Sequence, residues 1–133
     1  MTKYNSTDGK TTLDAEDDAA TANWGGDWRM PTEDEFDELL ENTTSSWTEV
    51  NGVSGLLLTS TANTNTLFFP AVGGALDGGV SDVGDVGCYW SDSLGSMFVN
   101  DAYGLGFDSE GHWLGAVDRS RGYAVRPVSS QNI

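Results

Sequence analysis

The 133-residue chain has little cysteine, proline, histidine or positive charge: one Cys, three Pro, one His and six Lys or Arg. A lone cysteine, Cys88, excludes an internal disulfide framework and any Cys-based zinc site. Six basic residues against 21 acidic ones leave a net charge of −15, without the positive face that nucleic acid or an anionic membrane requires. No apolar run approaches the roughly 18 residues of a membrane span, and Met1 is not followed by a charged-then-apolar segment. The sequence therefore predicts no nucleic-acid partner, no direct membrane insertion and no signal segment. With His112 the only histidine, a Ser-His-Asp or Cys-His unit would have to be built on that one residue. No carboxylate pair stands out for glycosidase work. No enzyme, no catalytic residue and no cofactor is expected.

What is present is a globular composition: 38% apolar residues, with five Trp, four Tyr and five Phe. One domain over residues 1–133 is expected. Glycine is abundant at 17 residues, especially between Gly73 and Gly122, and predicts many tight loops.

Residues 11–23 predict a short helix, regular near 14–23. Thr11 or Thr12 would cap it, Asp14, Glu16, Asp17 and Asp18 suit its N-terminal dipole, and Gly25 ends it. Ala15, Ala19 and Ala22 would form its packing face. A second helix is expected over 32–42. There Thr32 and Glu35 form a capping box after Pro31, and Phe36, Leu39 and Leu40 make the buried stripe. Short strands follow at Trp47–Val50, Val53–Thr59 and Thr66–Pro70, the first two joined by the hairpin pair Asn51-Gly52. Gly73–Gly87 is expected to be a long loop. Further strands are expected at Cys88–Ser91, Ala102–Phe107, Gly111–Val117 and Gly122–Val128. Helices first and strands after make an α+β domain.

Three stretches carry a family resemblance: Asp17 to Gly26 running into Trp28-Arg29-Met30-Pro31-Thr32 and Leu40; Phe68-Phe69-Pro70-Ala71 with Tyr89-Trp90-Ser91; and Gly122-Tyr123-Ala124-Val125-Arg126-Pro127-Val128. Together they resemble the major paralogous domain of Fibrobacter and Bacteroidetes, within the C-type lectin-like superfamily that includes formylglycine-generating enzymes. The resemblance implies a C-type lectin-like fold, with two helices packed on short antiparallel sheets and long loops. The enzymes of that superfamily use a cysteine pair, which one Cys cannot supply.

Residues 89–126 also resemble the variable region of proteins diversified by retroelements, in which adenines of a template are randomised. A framework including Tyr89, Trp90, Tyr103, Leu105, Phe107 and Arg126 would stay fixed, supported by residues 1–88. Gly104, Gly106, Asp108, Gly111, Gly115 and Asp118 stand where relatives carry Asn and are reachable from Asn codons through adenine changes. Trp113, Met97 and Glu110 are not reached so simply. The resemblance implies a ligand-binding domain of receptor or adhesin type. It would sit on a cell surface or phage particle as part of a longer protein and contact a protein or glycan on another cell or phage. The alternative is a structural or adhesive module of a bacterial surface lipoprotein with no diversified site.

Between Asp92 and Ser120, bulky side chains stand among Gly, Asp and Ser, as rigid anchors do among adaptable contacts in a paratope. The expected ligand-binding residues are Asp92, Ser96, Phe98, Asp108, His112, Trp113, Leu114, Asp118 and Ser120, clustered on one exposed face. Trp24, Trp28, Phe36, Leu39, Phe69, Tyr89, Trp90 and Val125 would hold the core, with Arg29 as a structural clamp and Cys88 half-buried. Asp77, Asp82 and Asp85, and the Asp14–Asp18 cluster, lack the Asp-x-Asp-x-Asp-Gly pattern of a calcium loop, and no metal ligand is expected.

Overall fold

The computed structural model describes residues 4–5, 7–76, 79–95 and 101–129. Among them the chain forms a mixed α+β structure, with two helices and mostly antiparallel strands in small sheets. Helix α1 spans Ala19–Trp24 and α2 spans Glu33–Glu41. One three-stranded sheet contains β2 (Thr43–Val50), β3 (Val53–Ser60) and β4 (Thr66–Pro70) in that order. A second contains β7 (Val86–Leu94), β8 (Asp101–Asp108) and β9 (Gly111–Asp118). Two-residue strands β1 (Trp28–Arg29) and β10 (Val128–Ser129) pair antiparallel, closing the C-terminal segment onto the start of α2.

Local chemistry accounts for α2. Thr32 accepts from the Glu35 amide at 3.1 Å and the Glu35 carboxylate accepts from the Thr32 amide at 2.9 Å, which is the expected capping box. Asn51 and Gly52, with φ of 52° and 83°, turn β2 into β3 in the left-handed conformation that this pair tolerates best.

Helix α1 is shorter than the sequence suggests. Asp18 caps it, accepting from the amides of Ala20 and Thr21 at 3.0 Å, and its buried carboxylate also accepts from Met30 N–H with both oxygens at 3.0 Å. Residues before Asp18 instead lie along the end of β7, where Leu13 N–H donates to Asp92 and Leu94 N–H to Thr11. The buried alanine is Ala20, while Ala15 and Ala22 are exposed. Trp24 and Trp28 are 61% and 46% exposed, so neither holds the core; Met30 and Pro31 are buried there instead.

Two further expectations are corrected. Gly73–Gly87 contains a small hairpin, β5 (Gly74–Leu76) with β6 (Gly79–Ser81), stitched to the body by bridges from Gly73 to Gly87 and from Ala75 to Gly122. Gly122–Val128 forms no continuous strand. It touches neighbours at Gly122 and Ala124, and regular pairing begins only at Val128, after Pro127, which has no N–H to donate.

The main core lies between the two three-stranded sheets. Leu56, Leu58 and Phe69 face Tyr89, Leu105 and Phe107, with Phe36 of α2 and Ala71 completing the cluster. Phe69 meets Tyr89 edge-on at 5.1 Å and Tyr89 stacks on Phe107 at 6.0 Å. The Tyr89 hydroxyl donates to the Pro70 carbonyl at 2.7 Å, and burial pushes its pKa up to about 12. Gly87 sits beneath Phe107, its cross-strand partner. A Cβ there would lie 2.0 Å from the ring, so only glycine fits without repacking. Burying these side chains stabilises the fold by about 1.5–3 kcal/mol each.

Candidate functional site

Strand alternation divides the β7–β8–β9 sheet into two faces. On β8, Tyr103, Leu105 and Phe107 point toward the core side, and Leu105 and Phe107 are wholly buried. Ala102, Gly104, Gly106 and Asp108 fall on the opposite, outer side. There Gly104 and Gly106 are buried beneath neighbouring rings, and Ala102 packs with Tyr4 and Leu94 in a second hydrophobic cluster. Register places Val117, Gly115, Trp113 and Gly111 of β9 beside them, and Cys88 and Trp90 of β7 beside Gly106 and Gly104. Of the six positions that resemble diversified ones, Gly104, Gly106, Asp108, Gly111 and Gly115 share this outer face. Asp118 does not.

Trp113 dominates the face. It is 47% exposed and lies across Gly106 so closely that a Cβ at Gly106 would fall 2.2 Å from the indole. Trp90 packs on Tyr123 with centroids 4.5 Å apart, and Tyr123 and Cys88 line the same cleft. Burial raises the pKa of both Cys88 and Tyr123. Cys88 is buried, deeper than the half-burial expected from sequence. Between this face and the β5–β6 hairpin runs a cleft of about 340 Å³, lined by Ser81, Asp82, Cys88, Trp113, Arg121 and Tyr123 among others.

Among the described residues, the expected ligand-binding residues do not form one exposed face. Ser96 and Phe98 lie outside the described residues. His112, Trp113, Asp118 and Ser120 are exposed, but alternation along β9 puts His112, Leu114 and Asp118 on the core side and Trp113 on the outer side. Leu114 is half-buried against the core, paired with Leu105, and is not the exposed contact expected. Asp92 is half-buried where β7 meets the N-terminal segment. Its amide donates to Pro31 at 2.8 Å, Ser93 Oγ donates to its carboxylate at 3.2 Å, and burial raises its pKa. Asp108 lies on the outer side and ties the β8–β9 turn, accepting from the amides of Glu110 and Gly111 at 2.8 and 3.1 Å. The Ser120 amide donates to Asp118 at 2.9 Å and lowers its pKa.

The sequence reading missed Asp82, Arg121 and Tyr123 as neighbours of Trp113. The alternation of Tyr103, Leu105 and Phe107 with Gly104 and Gly106 was the available signal for the face. Nothing local signalled the hairpin that walls the cleft.

Arg29 is the clamp expected of it, gripping Glu35 through both guanidinium arms at 2.5 and 2.7 Å. Arg126 donates to the Phe68 carbonyl at 3.0 Å and lies over the Phe69 ring. Carboxylates of Asp14, Glu16 and Asp17 come within 4.8 Å of one another. Asp14 pairs with Lys10 at 2.6 Å and Asp17 accepts from the Tyr4 hydroxyl, so these acids fasten the turn before α1. Asp77 lies outside the described residues. Comparison with family models, curated proteins and solved structures finds no match for this chain.

Proposed function

We propose that this chain is a non-catalytic ligand-binding domain of C-type lectin-like fold, whose variable surface is the outer face of the β7–β8–β9 sheet. One observation carries the reading. Five positions that resemble diversified ones share a face, and the fixed Leu105 and Phe107 point the other way into the core. A domain built to vary needs that separation, because truncating a buried large side chain costs about 2–5 kcal/mol of a total near 5–15. Trp113 supplies the large aromatic anchor that binding surfaces favour. The resemblance adds that the ligand is a protein or glycan on another cell or phage, and that the domain belongs to a longer surface or virion protein of the Fibrobacter and Bacteroidetes type.

A second reading has its own support. Asp92, Asp108 and Asp118 all hold turns or junctions, as they would in a non-diversified structural or adhesive module of a surface lipoprotein. DNA flanking the gene separates the two. A reverse-transcriptase gene and an adenine-rich near-copy of the segment coding for residues 89–128 are expected beside a diversified gene. Flanking DNA without either supports the module.

A further inference from the structure

Two exposed side chains of opposite charge, Arg121 and Asp82, line the cleft beside Trp113. The chain has 21 acidic and six basic residues, and among the described residues the Arg121 guanidinium ties itself to none of the acids. Among the described residues the other cations are engaged: Lys10 with Asp14, Arg29 with Glu35, Arg119 with the Tyr4 carbonyl and Arg126 with the Phe68 carbonyl. The Arg121 guanidinium has no such ion pair or hydrogen bond, although it lines the cleft and its field reaches Cys88 and Tyr123. Asp118 also feels Arg121, but its carboxylate accepts from the Ser120 amide, and Arg121 reaches it only through the backbone, its N–H donating to the Asp118 carbonyl at 3.2 Å.

Asp82 lines the same cleft, and its field also reaches Cys88. The Asp82 carboxylate forms no ion pair with Arg121; its one hydrogen bond is a long 3.4 Å contact from its neighbour Ser81. Asp82 is held with φ of 65°, a left-handed conformation uncommon outside glycine, asparagine and aspartate. Two opposite charges thus line one cleft without joining, and Trp113 and Tyr123 offer aromatic surface beside them. At about 340 Å³ the space is at the small end for organic ligands.

We propose that this cleft takes a small zwitterion, a free α-amino acid with an apolar side chain. Its carboxylate pairs with Arg121, its ammonium with Asp82, and its side chain rests on Trp113. A guanidinium binds a carboxylate through two parallel N–H donors, and the ammonium answers the remaining acid. A ligand with only one charge leaves the other lining charge unanswered. The proposal extends the binding reading and rests on it in one respect, that Trp113 is a contact residue.

The experiment is a titration of the intact chain followed by backbone amide NMR. The probes are L-phenylalanine, 3-phenylpropanoate (no ammonium) and 2-phenylethylamine (no carboxylate). Phenylalanine is expected to shift the amides of Gly74, Ala75 and Tyr123 saturably, with each single-charge analogue weaker by about tenfold or more. Arg121→Gln should reduce phenylalanine to the level of phenylethylamine. Asp82→Asn, which keeps a residue tolerant of the left-handed conformation, should reduce it to the level of phenylpropanoate. Unchanged dispersion elsewhere in the spectra shows that both variants fold. No saturable phenylalanine binding, or binding indifferent to both substitutions, overturns the proposal. If flanking DNA nevertheless contains the reverse transcriptase and near-copy, the binding reading survives and only the zwitterion is lost.

Discussion

Trp113 lies over Gly106, its cross-strand partner, just as Phe107 lies over Gly87 on the opposite face of the same sheet. Each glycine makes room for a ring, but one ring is buried in the core and the other is open to solvent. The two pairs therefore separate what the sheet needs for stability from what it presents outward.

Adding a methyl to each glycine should expose that difference. Gly87→Ala drives a Cβ to 2.0 Å from a wholly buried Phe107 and should cost about 3 kcal/mol, at the upper end for overpacking. Gly106→Ala meets the Trp113 ring at 2.2 Å, but that ring can swing into solvent, so about 1 kcal/mol is expected. Urea unfolding measures both. In the double variant Gly106→Ala with Trp113→Ala, the penalty from Gly106 should vanish, a non-additivity that two independent sites would not show.

Truncation along β8 and β9 should follow the same division. Phe107→Ala is expected to cost about 3–5 kcal/mol and Leu105→Ala about 2–5. Trp113→Ala should cost under about 1 kcal/mol, because the ring is 47% exposed. Gly111 and Gly115 have open space where a Cβ would stand, so serine or asparagine at either should leave the unfolding midpoint nearly unchanged.

The Arg29–Glu35 clamp should appear in the pH dependence of stability. The Arg29 guanidinium holds the Glu35 carboxyl down from the ordinary 4.5 to about 2. A depressed folded-state pKa contributes stability that is complete above 4.5 and is lost as pH falls toward about 2. Glu35 is partly exposed, so Glu35→Gln, which can keep the capping-box bond, should cost no more than about 1 kcal/mol at neutral pH. Its unfolding free energy should also fall less steeply than wild type across that acid window.

Asp92 should behave with the opposite sign. Burial raises its carboxyl pKa, so the folded state binds that proton more tightly than the unfolded chain does. Its contribution therefore improves as pH falls through the raised value. Asp92→Asn keeps an acceptor for Ser93 and removes a half-buried charge whose burial cost, with the fields of Asp18 and Glu35, outweighs the help it receives from Ser93 and Arg29. Thermal unfolding at neutral pH should show Asp92→Asn at least as stable as wild type, with the difference shrinking in acid.

Sequence made the local elements legible and left the distant ones dark. Thr32 and Glu35 announce α2, and Asn51-Gly52 announces its hairpin, because the bonds involved lie within a few residues. The start of α1 was not readable. Asp14, Glu16, Asp17 and Asp18 all suit a helix N-terminus, and the choice of Asp18 is tied to the Met30 amide, twelve residues away. Trp24 and Trp28 looked like core by size alone, yet Ala20, Met30 and Pro31 are the residues buried there. At the candidate site, counting bulky residues between Asp92 and Ser120 singled out Trp113. It also included Leu114, whose side chain alternation turns inward. The cleft itself depends on bridges from Ala75 to Gly122 and from Tyr89 to Ala124, pairings that no local pattern encodes.

The central claim, that the outer face varies while the core face is fixed, is tested most directly by sequencing this gene from many independent isolates. Replacements are expected to concentrate at codons 104, 106, 108, 111 and 115, through adenine positions of a template, with codons 105 and 107 invariant. Replacements spread evenly over both faces, or a face as constant as the core, would contradict it.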